Sequence, residues 1–399
     1  MRGVTGEGNL SAAVMTVAVL TRGMKGILVF SVVVIVGFTL YNPVIIMKKK
    51  VEILSYLDKF MWRSKVPPAA INSSNVTQAE AHIDQPRAEP TPGPCHPNLA
   101  YNSLTSKLKP IYKDFMMYRH CREFPLLCRA ASCDGEHTFL LLAIKSLAEH
   151  ADRRASIRST WGQERVVGGA VVRRVFLLGL TESQIRSQAV QALVDHESKQ
   201  YNDIIQWGFR ESFFNVTLKE TLFWKWFSQD CRSVKFVFKG DDDVFVNVDN
   251  VVEYLKEYNP SHDLYVGDVF QNWYPTRAEH SKYFIPLFLY GKKPYPPYAG
   301  GGGYLLSGTS IFKLHKAAED EELFPIDDAF VGICAQRAKI EVIAHRGFRT
   351  YGNIPYDPCI YRGLMVVHRV TPNELWLIWS LLKINRKPCS QFTRVSVKP

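Results

Sequence analysis

The sequence predicts an α/β domain built on a largely parallel sheet with helices on both faces, and three observations predict it. Short, mostly apolar, β-rich runs recur at Thr138–Ile144, Val171–Leu178, Asp203–Trp207 and Lys235–Lys239. Longer stretches that read as helices separate them, at Ala148–Trp161, Glu182–Gln200 and Leu218–Cys231; in the last, Leu218, Leu222, Phe223 and Trp226 share one face at helical spacing. The fourth run leads directly into three consecutive carboxylates, Asp241-Asp242-Asp243. Strands that are apolar almost throughout and alternate with helices are covered on both faces. Such sheets bind ligands beyond the carboxyl ends of their strands, which is where the aspartates fall.

In chain order, residues 1–25 form a short tail with three basic side chains. Residues 26–47 carry no charge and are dominated by Val, Ile, Leu and Phe. At about 1.5 Å per residue such a stretch covers the ~30 Å hydrocarbon core, so a single spanning helix is expected. The length and the lack of a small-x-small site before Lys48-Lys49-Lys50 argue against a cleaved signal peptide. Counting basic flanks, three in residues 1–25 against six in 48–65, would orient the span with its carboxyl side in the cytoplasm. Against that, sequons at Asn72, Asn75 and Asn215 and all eight cysteines follow the span, which suits an oxidising lumen. Residues 48–106 are rich in Pro, Ala, Ser, Asn and Gln and read as an extended stem. Residues 107–399 are the folded lumenal domain.

The chain has 46% hydrophobic residues, a net charge of +11 and a pI near 9.1. That balance suits acidic partners such as nucleotide diphosphates, nucleic acid or anionic membrane surfaces. No basic run of the nucleic-acid type is present, and the lysine triplet borders the membrane segment instead. No Gly-x-Gly-x-x-Gly after a strand, Walker loop, Gly-x-Ser-x-Gly elbow, paired Cys-x-x-Cys or His-Glu-x-x-His is found, which removes the usual dehydrogenase, kinase, serine hydrolase and zinc chemistries.

What remains is a carboxylate-rich, metal-assisted site. Three adjacent like charges repel, so a strand end keeps them where water or a cation neutralises them; a solvated acidic turn is the bland alternative. An EF-hand is excluded, because Phe245 and Val246 stand where its loop needs an oxygen ligand and a glycine. Arg154 and Arg158 lie one helical turn apart in Arg153-Arg154-Ala-Ser-Ile-Arg158-Ser-Thr-Trp161-Gly162, a spacing that suits phosphate or an ordinary basic helix face. The run Ala299-Gly300-Gly301-Gly302-Gly303 suggests close backbone approach to a ligand, or a flexible hairpin. In Pro325-Ile-Asp327-Asp328, Asp327 reads as a helix N-cap and leaves Asp328 free to act. His368 closes the apolar run Leu364–His368, as a core histidine or as a metal ligand.

Across residues 111–382 these segments, with Phe139–Ser146 and Phe213–Glu220, resemble the inverting β-1,3-glycosyltransferases of the Golgi. Within them the Asp-Asp-Asp spelling and the glycine run resemble the N-acetylglucosaminyl branch. The resemblance implies a GT-A fold, a UDP-GlcNAc donor, galactose-terminated acceptors, a bound Mn2+ or Mg2+, and a single-pass type II anchor. Inverting transfer needs one base to take the proton of the acceptor hydroxyl. On that basis Asp328 is expected to be the base, Asp243 and His368 the metal ligands, and Asp241 and Asp242 the nucleoside and ribose contacts. Gly301, Gly302 and Gly303 are expected to border the sugar, and Arg154, Arg158 and Trp161 to line the nucleotide pocket. A β-1,3-galactosyltransferase using UDP-Gal and a non-catalytic glycan-binding ectodomain are the alternatives.

Overall fold

The computed structural model describes residues 95–384 except 107, 132, 134–136 and 353, together with Cys389 and two dipeptides near the amino terminus. Within residues 1–86, Thr16–Val17 pairs antiparallel with Val32–Val33. The rest of the expected tail, anchor and stem up to residue 94, with Asn72 and Asn75, lies outside the described residues. No helix among the described residues is long and apolar enough to cross a membrane.

The second unit runs, in order, α1 (Tyr101–Leu104), α2 (Pro110–Tyr118), β1 (Leu126–Cys128), β2 (Thr138–Lys145), α3 (Ala151–Ser159), β3 (Arg165–Val167), β4 (Ala170–Leu180), α4 (Ser187–Tyr201), β5 (Ile204–Arg210) and α5 (Val216–Asp230). It continues with β6 (Phe236–Asp241), β7 (Val244–Val246), α6 (Val248–Leu255), β8 (Tyr265–Phe270), β9 (Tyr298–Ser307), α7 (Gly308–Glu319) and α8 (Asp327–Arg337). Then follow β10 (Ile343–Ala344), β11 (Phe348–Arg349), α9 (Pro358–Gly363), β12 (Val366–His368) and α10 (Pro372–Ile384).

The main sheet has the order β10-β8-β9-β6-β2-β4-β5-β1, with β3 also paired to β4. Its centre, β6-β2-β4-β5, is parallel and consists of the four apolar runs read from the sequence. On the flanks β9 is antiparallel to both β6 and β8, β1 is antiparallel to β5, and β10 is parallel to β8. The sheet is therefore mixed, its parallel strands interrupted by β9 and edged by β1. The difference comes from β9, whose glycines are poor strand formers by propensity and concealed a strand that is central to the sheet.

Side chains alternate across the sheet, so Leu141 and Ala143 of β2 enter one core while Leu140, Leu142 and Ile144 enter the other. Helices α2, α5, α7 and α8 cover the first face. Helices α3 and α6, with a three-stranded sheet ordered β11-β12-β7, cover the second. Helix α5 is buried nearly all round rather than along one stripe, and it takes Lys219 and Glu220 inside with it. Trp224 of α5 stacks on Phe330 of α8, with ring centroids 6.2 Å apart. Truncating either ring to alanine would cost about 3–5 kcal/mol.

Three disulfides staple this unit: Cys95–Cys121, Cys133–Cys231 and Cys359–Cys389. Cys128 and Cys334 remain thiols, and burial pushes the Cys334 thiol up to about 12. Residues 95–106, grouped with the stem by composition, are tied to the domain by Cys95–Cys121 and by a 3.2 Å hydrogen bond from the Tyr101 hydroxyl to Glu322.

Candidate active site

The parallel register sets Asp241, the last residue of β6, beside Lys145, the last residue of β2. After Asp241 the chain turns through Asp242-Asp243 into β7, and β7 pairs antiparallel with β12 so that His368 lies opposite Val244. This carries His368 to the acidic turn across more than a hundred residues of sequence. Its Nε2 lies 3.2 Å from Asp243 and 3.7 Å from Asp241. One ligand atom from each of Asp241, Asp243 and His368 falls within 4.8 Å of the others.

His368 Nδ1 is 3.1 Å from the Thr350 carbonyl oxygen. A carbonyl only accepts, so Nδ1 carries a proton and Nε2 is the atom aimed at the carboxylates. Burial works to lower the His368 pKa, but the Asp243 and Asp241 carboxylates outweigh it and hold it above its ordinary value. Two carboxylates and an imidazole nitrogen converging on one point fit a divalent ion such as Mn2+ or Mg2+. Asp241, which the sequence reading places on the nucleoside side, has its carboxylate in this cluster.

Asp242 faces the other way. It accepts hydrogen bonds from Ser146 Oγ at 2.7 Å and Arg153 Nη1 at 2.9 Å, and its Oδ2 is 2.8 Å from His150 Nδ1. Burial alone would raise its pKa, but these three partners hold it below the usual carboxylate range. Buried and fully engaged, Asp242 anchors the turn to the start of α3.

The second acidic pair opens α8. The N-cap position belongs to Ile326, not Asp327, and both aspartates lie in the first turn, where the helix dipole favours negative charge. The Asp327 carboxylate is not available for capping because Lys145 Nζ holds it at 2.8 Å. The same ammonium lies 3.0 Å from Asp241 and 3.7 Å from the buried Glu220. The two neighbours consequently diverge. Burial opposes ionisation of Asp327, yet Lys145 overrides it and the pKa falls. Burial and the adjacent Asp327 charge push Asp328 well above the carboxylate range.

The glycine run is neither a hairpin nor a loop but the middle of β9. A Cβ on Gly301 would lie 2.2 Å from Asp328 Oδ1, and one on Gly302 would lie 2.6 Å from His368 Cγ. One on Gly303 would meet Phe238 and Val366 at 2.8–2.9 Å. Gly301 and Gly302 make room for the protein's own site residues, and Gly303 for the core packing behind them.

Arg154, Arg158 and Trp161 do not join the cluster. Arg154 is 0% exposed and pairs with Glu197 at 2.8 Å, while Arg158 is held by Glu197 and Asp203. Trp161 is buried edge-on against Phe238. Residues one helical turn apart share a face, and the face carrying Arg154 and Arg158 turns inward. Arg153, on the neighbouring face, is the arginine that reaches Asp242. At the Asn215 sequon, Asn215 Nδ2 donates to the Arg210 carbonyl at 2.7 Å, and the buried Thr217 hydroxyl donates to the Phe324 carbonyl.

A cleft of about 530 Å³ opens beside the aspartates, lined among others by Lys145, His150, Arg153, Glu211, Lys219 and Asp241–Asp243. Lys145, His150, Arg153 and Lys219 were not singled out from sequence. The one available signal was a lysine ending an otherwise apolar strand, at Lys145.

Residues 152–346 match the galactosyltransferase family. The chain is 46% identical over 312 residues to N-acetyllactosaminide β-1,3-N-acetylglucosaminyltransferase 4 of Homo sapiens, covering 76% of this chain and 81% of that protein. It is 44% identical over 299 residues to UDP-GlcNAc:βGal β-1,3-N-acetylglucosaminyltransferase 7 of Mus musculus, covering 72% and 75%. It is 42% identical over 348 residues to the acetylgalactosaminyl-O-glycosyl-glycoprotein β-1,3-N-acetylglucosaminyltransferase of Homo sapiens, covering 84% and 90%. Matches of this length and identity make the chain a member of the galactosyltransferase family, within its β-1,3-N-acetylglucosaminyltransferase branch.

Proposed function

We propose that this protein transfers N-acetylglucosamine from UDP-GlcNAc, with inversion, to the 3-hydroxyl of terminal galactose on N-acetyllactosamine or mucin core 1 glycans. The names of the relatives support the donor and the acceptor class. The observation that carries the chemistry is the split pair Asp327 and Asp328. Lys145 Nζ holds Asp327 ionised at 2.8 Å, while burial and the Asp327 charge raise Asp328, so Asp328 is the carboxylate of the pair with the greater affinity for a proton.

Asp328 accepts the proton of the acceptor 3-hydroxyl as that oxygen bonds the anomeric carbon; the bond from that carbon to the diphosphate oxygen breaks and UDP leaves. Lys145 keeps Asp327 anionic, so the proton goes to Asp328. Asp241, Asp243 and His368 would hold Mn2+ or Mg2+, which when bound neutralises charge on the departing diphosphate. The cations lining the cleft, Lys145, Arg153 and Lys219, are each paired with a carboxylate of the protein, so the bound ion would supply the positive charge that faces the diphosphate. Asp242 shapes the turn, and Gly301 and Gly302 leave room for Asp328 and His368 beside it. In this reading the fold is of the GT-A type and residues 26–47 anchor a type II Golgi protein. The stem follows, with glycans at Asn72, Asn75 and Asn215.

The test is a UDP-release assay with UDP-GlcNAc and UDP-Gal against lactose, N-acetyllactosamine and core 1 acceptors. Release with UDP-GlcNAc and a β-1,3-linked product is expected. Preference for UDP-Gal would overturn the donor assignment, and no release on any acceptor would favour a glycan-binding ectodomain.

A further inference from the structure

Gly300 and Gly302 are not required by backbone conformation, since neither has a positive φ. The reason for them is steric. A Cβ on Gly302 would fall 2.8 Å from His368 Nδ1, and one on Gly300 would fall 2.6 Å from Thr350 Oγ1. His368 and Thr350 therefore lie side by side against bare β9 backbone, joined by the bond from Nδ1–H to the Thr350 carbonyl. Thr350 is in turn held from the neighbouring strand. Asp268 Oδ2 accepts the Thr350 N–H at 3.1 Å and the Thr350 hydroxyl at 2.8 Å. Asp268 sits where the β8–β9 register shifts between Gly267 and Val269, and an irregularity of this kind re-aims a side chain.

We propose that Asp268 is a positioning residue for the His368 arm of the metal site, acting through Thr350, and that Gly300 and Gly302 leave room for this chain of contacts. The inference rests on the metal reading above. Asp268 holds the Thr350 segment in place, the Thr350 carbonyl sets the imidazole tautomer and ring plane, and Nε2 is left aimed at Asp241 and Asp243. Partners behind a ligating histidine govern metal affinity, and their loss typically weakens it about 10- to 100-fold.

The experiment titrates Mn2+ into the full chain with UDP present, following the free ion by electron paramagnetic resonance, with thermal melting in EDTA as the check on folding. Asp268→Ala is expected to weaken Mn2+ binding about 10- to 100-fold. Thr350→Val, which removes only the hydroxyl donor, should weaken it about 3- to 10-fold, while Thr350→Ser should restore it. A purely structural role would lower the melting temperature in EDTA and leave Mn2+ affinity unchanged in the folded protein. If Asp268→Ala does not fold, Thr350→Val and Thr350→Ser decide. Wild-type binding that survives both Asp268→Ala and Thr350→Val overturns this inference alone. A wild-type chain that binds no Mn2+ overturns the metal reading and this inference with it.

Discussion

Lys145 Nζ lies 2.8 Å from Asp327 Oδ2 and only 3.0 Å from Asp241 Oδ1, so one ammonium joins the two acidic clusters that the sequence keeps far apart. Behind it, the fully buried Glu220 is 3.7 Å from Lys145 and 2.6 Å from Lys239, whose pKa burial lowers to about 8. A buried ammonium is tolerated only with charged partners, and here those partners are the site itself. The strand end is thus held by alternating charges in addition to the apolar packing around it.

Asp328→Asn preserves size and the N–H···O contact from Gly301 but removes the proton acceptor. Transfer should fall by about 10²- to 10⁴-fold, the usual contribution of a positioned base. UDP binding measured by calorimetry should stay close to wild type; near-normal turnover would remove Asp328 from the base role.

Asp243→Ala takes one carboxylate from the cluster with Asp241 and His368. Metal-dependent UDP binding should be lost while the melting temperature in EDTA changes little. Unchanged calorimetric binding in the presence of Mn2+ would mark the triplet as a structural turn.

Gly301→Ala places a methyl group 2.2 Å from the Asp328 carboxylate, so the base must move. A shift near 1 Å at a reacting group costs about 10²-fold in rate. The loss should appear in kcat with donor binding retained. A variant as active as wild type would show that Asp328 has room the structure does not display.

Stability should depend on acid through Glu197. Burial alone would raise its pKa, but Arg154 and Arg158 outweigh it and the folded value lies below the ordinary 4.5. A depressed carboxylate stabilises the fold above its unfolded pKa and loses that contribution as pH falls through the folded value. Denaturant midpoints followed from pH 7 to pH 3 should therefore decline less steeply in Glu197→Gln than in wild type. The variant should be less stable at neutral pH by about 3–5 kcal/mol, because two buried guanidinium groups lose a charged partner. Parallel pH profiles for the two proteins would contradict this.

Sequence alone was sufficient for the parallel centre of the sheet, since β2, β4, β5 and β6 are apolar on both faces and that pattern is local. It also singled out the acidic turn, Asp328 and His368, because charged or titratable groups at the ends of apolar runs stand out whatever surrounds them. The tertiary structure decided what depends on distant partners. It placed β9 as a central strand, because its glycines answer to Asp328, His368 and Thr350 rather than to their own propensity. It turned Arg154 and Arg158 inward to Glu197 and Asp203 and left Arg153 to reach Asp242, a choice of helix face that spacing does not encode. It chose three cysteine pairs, gathered Asp241 with Asp243 and His368, and brought Lys145 between both acidic pairs. Local pattern records which side chains avoid water, whereas charge pairing is settled only when strand ends far apart in the chain are packed side by side.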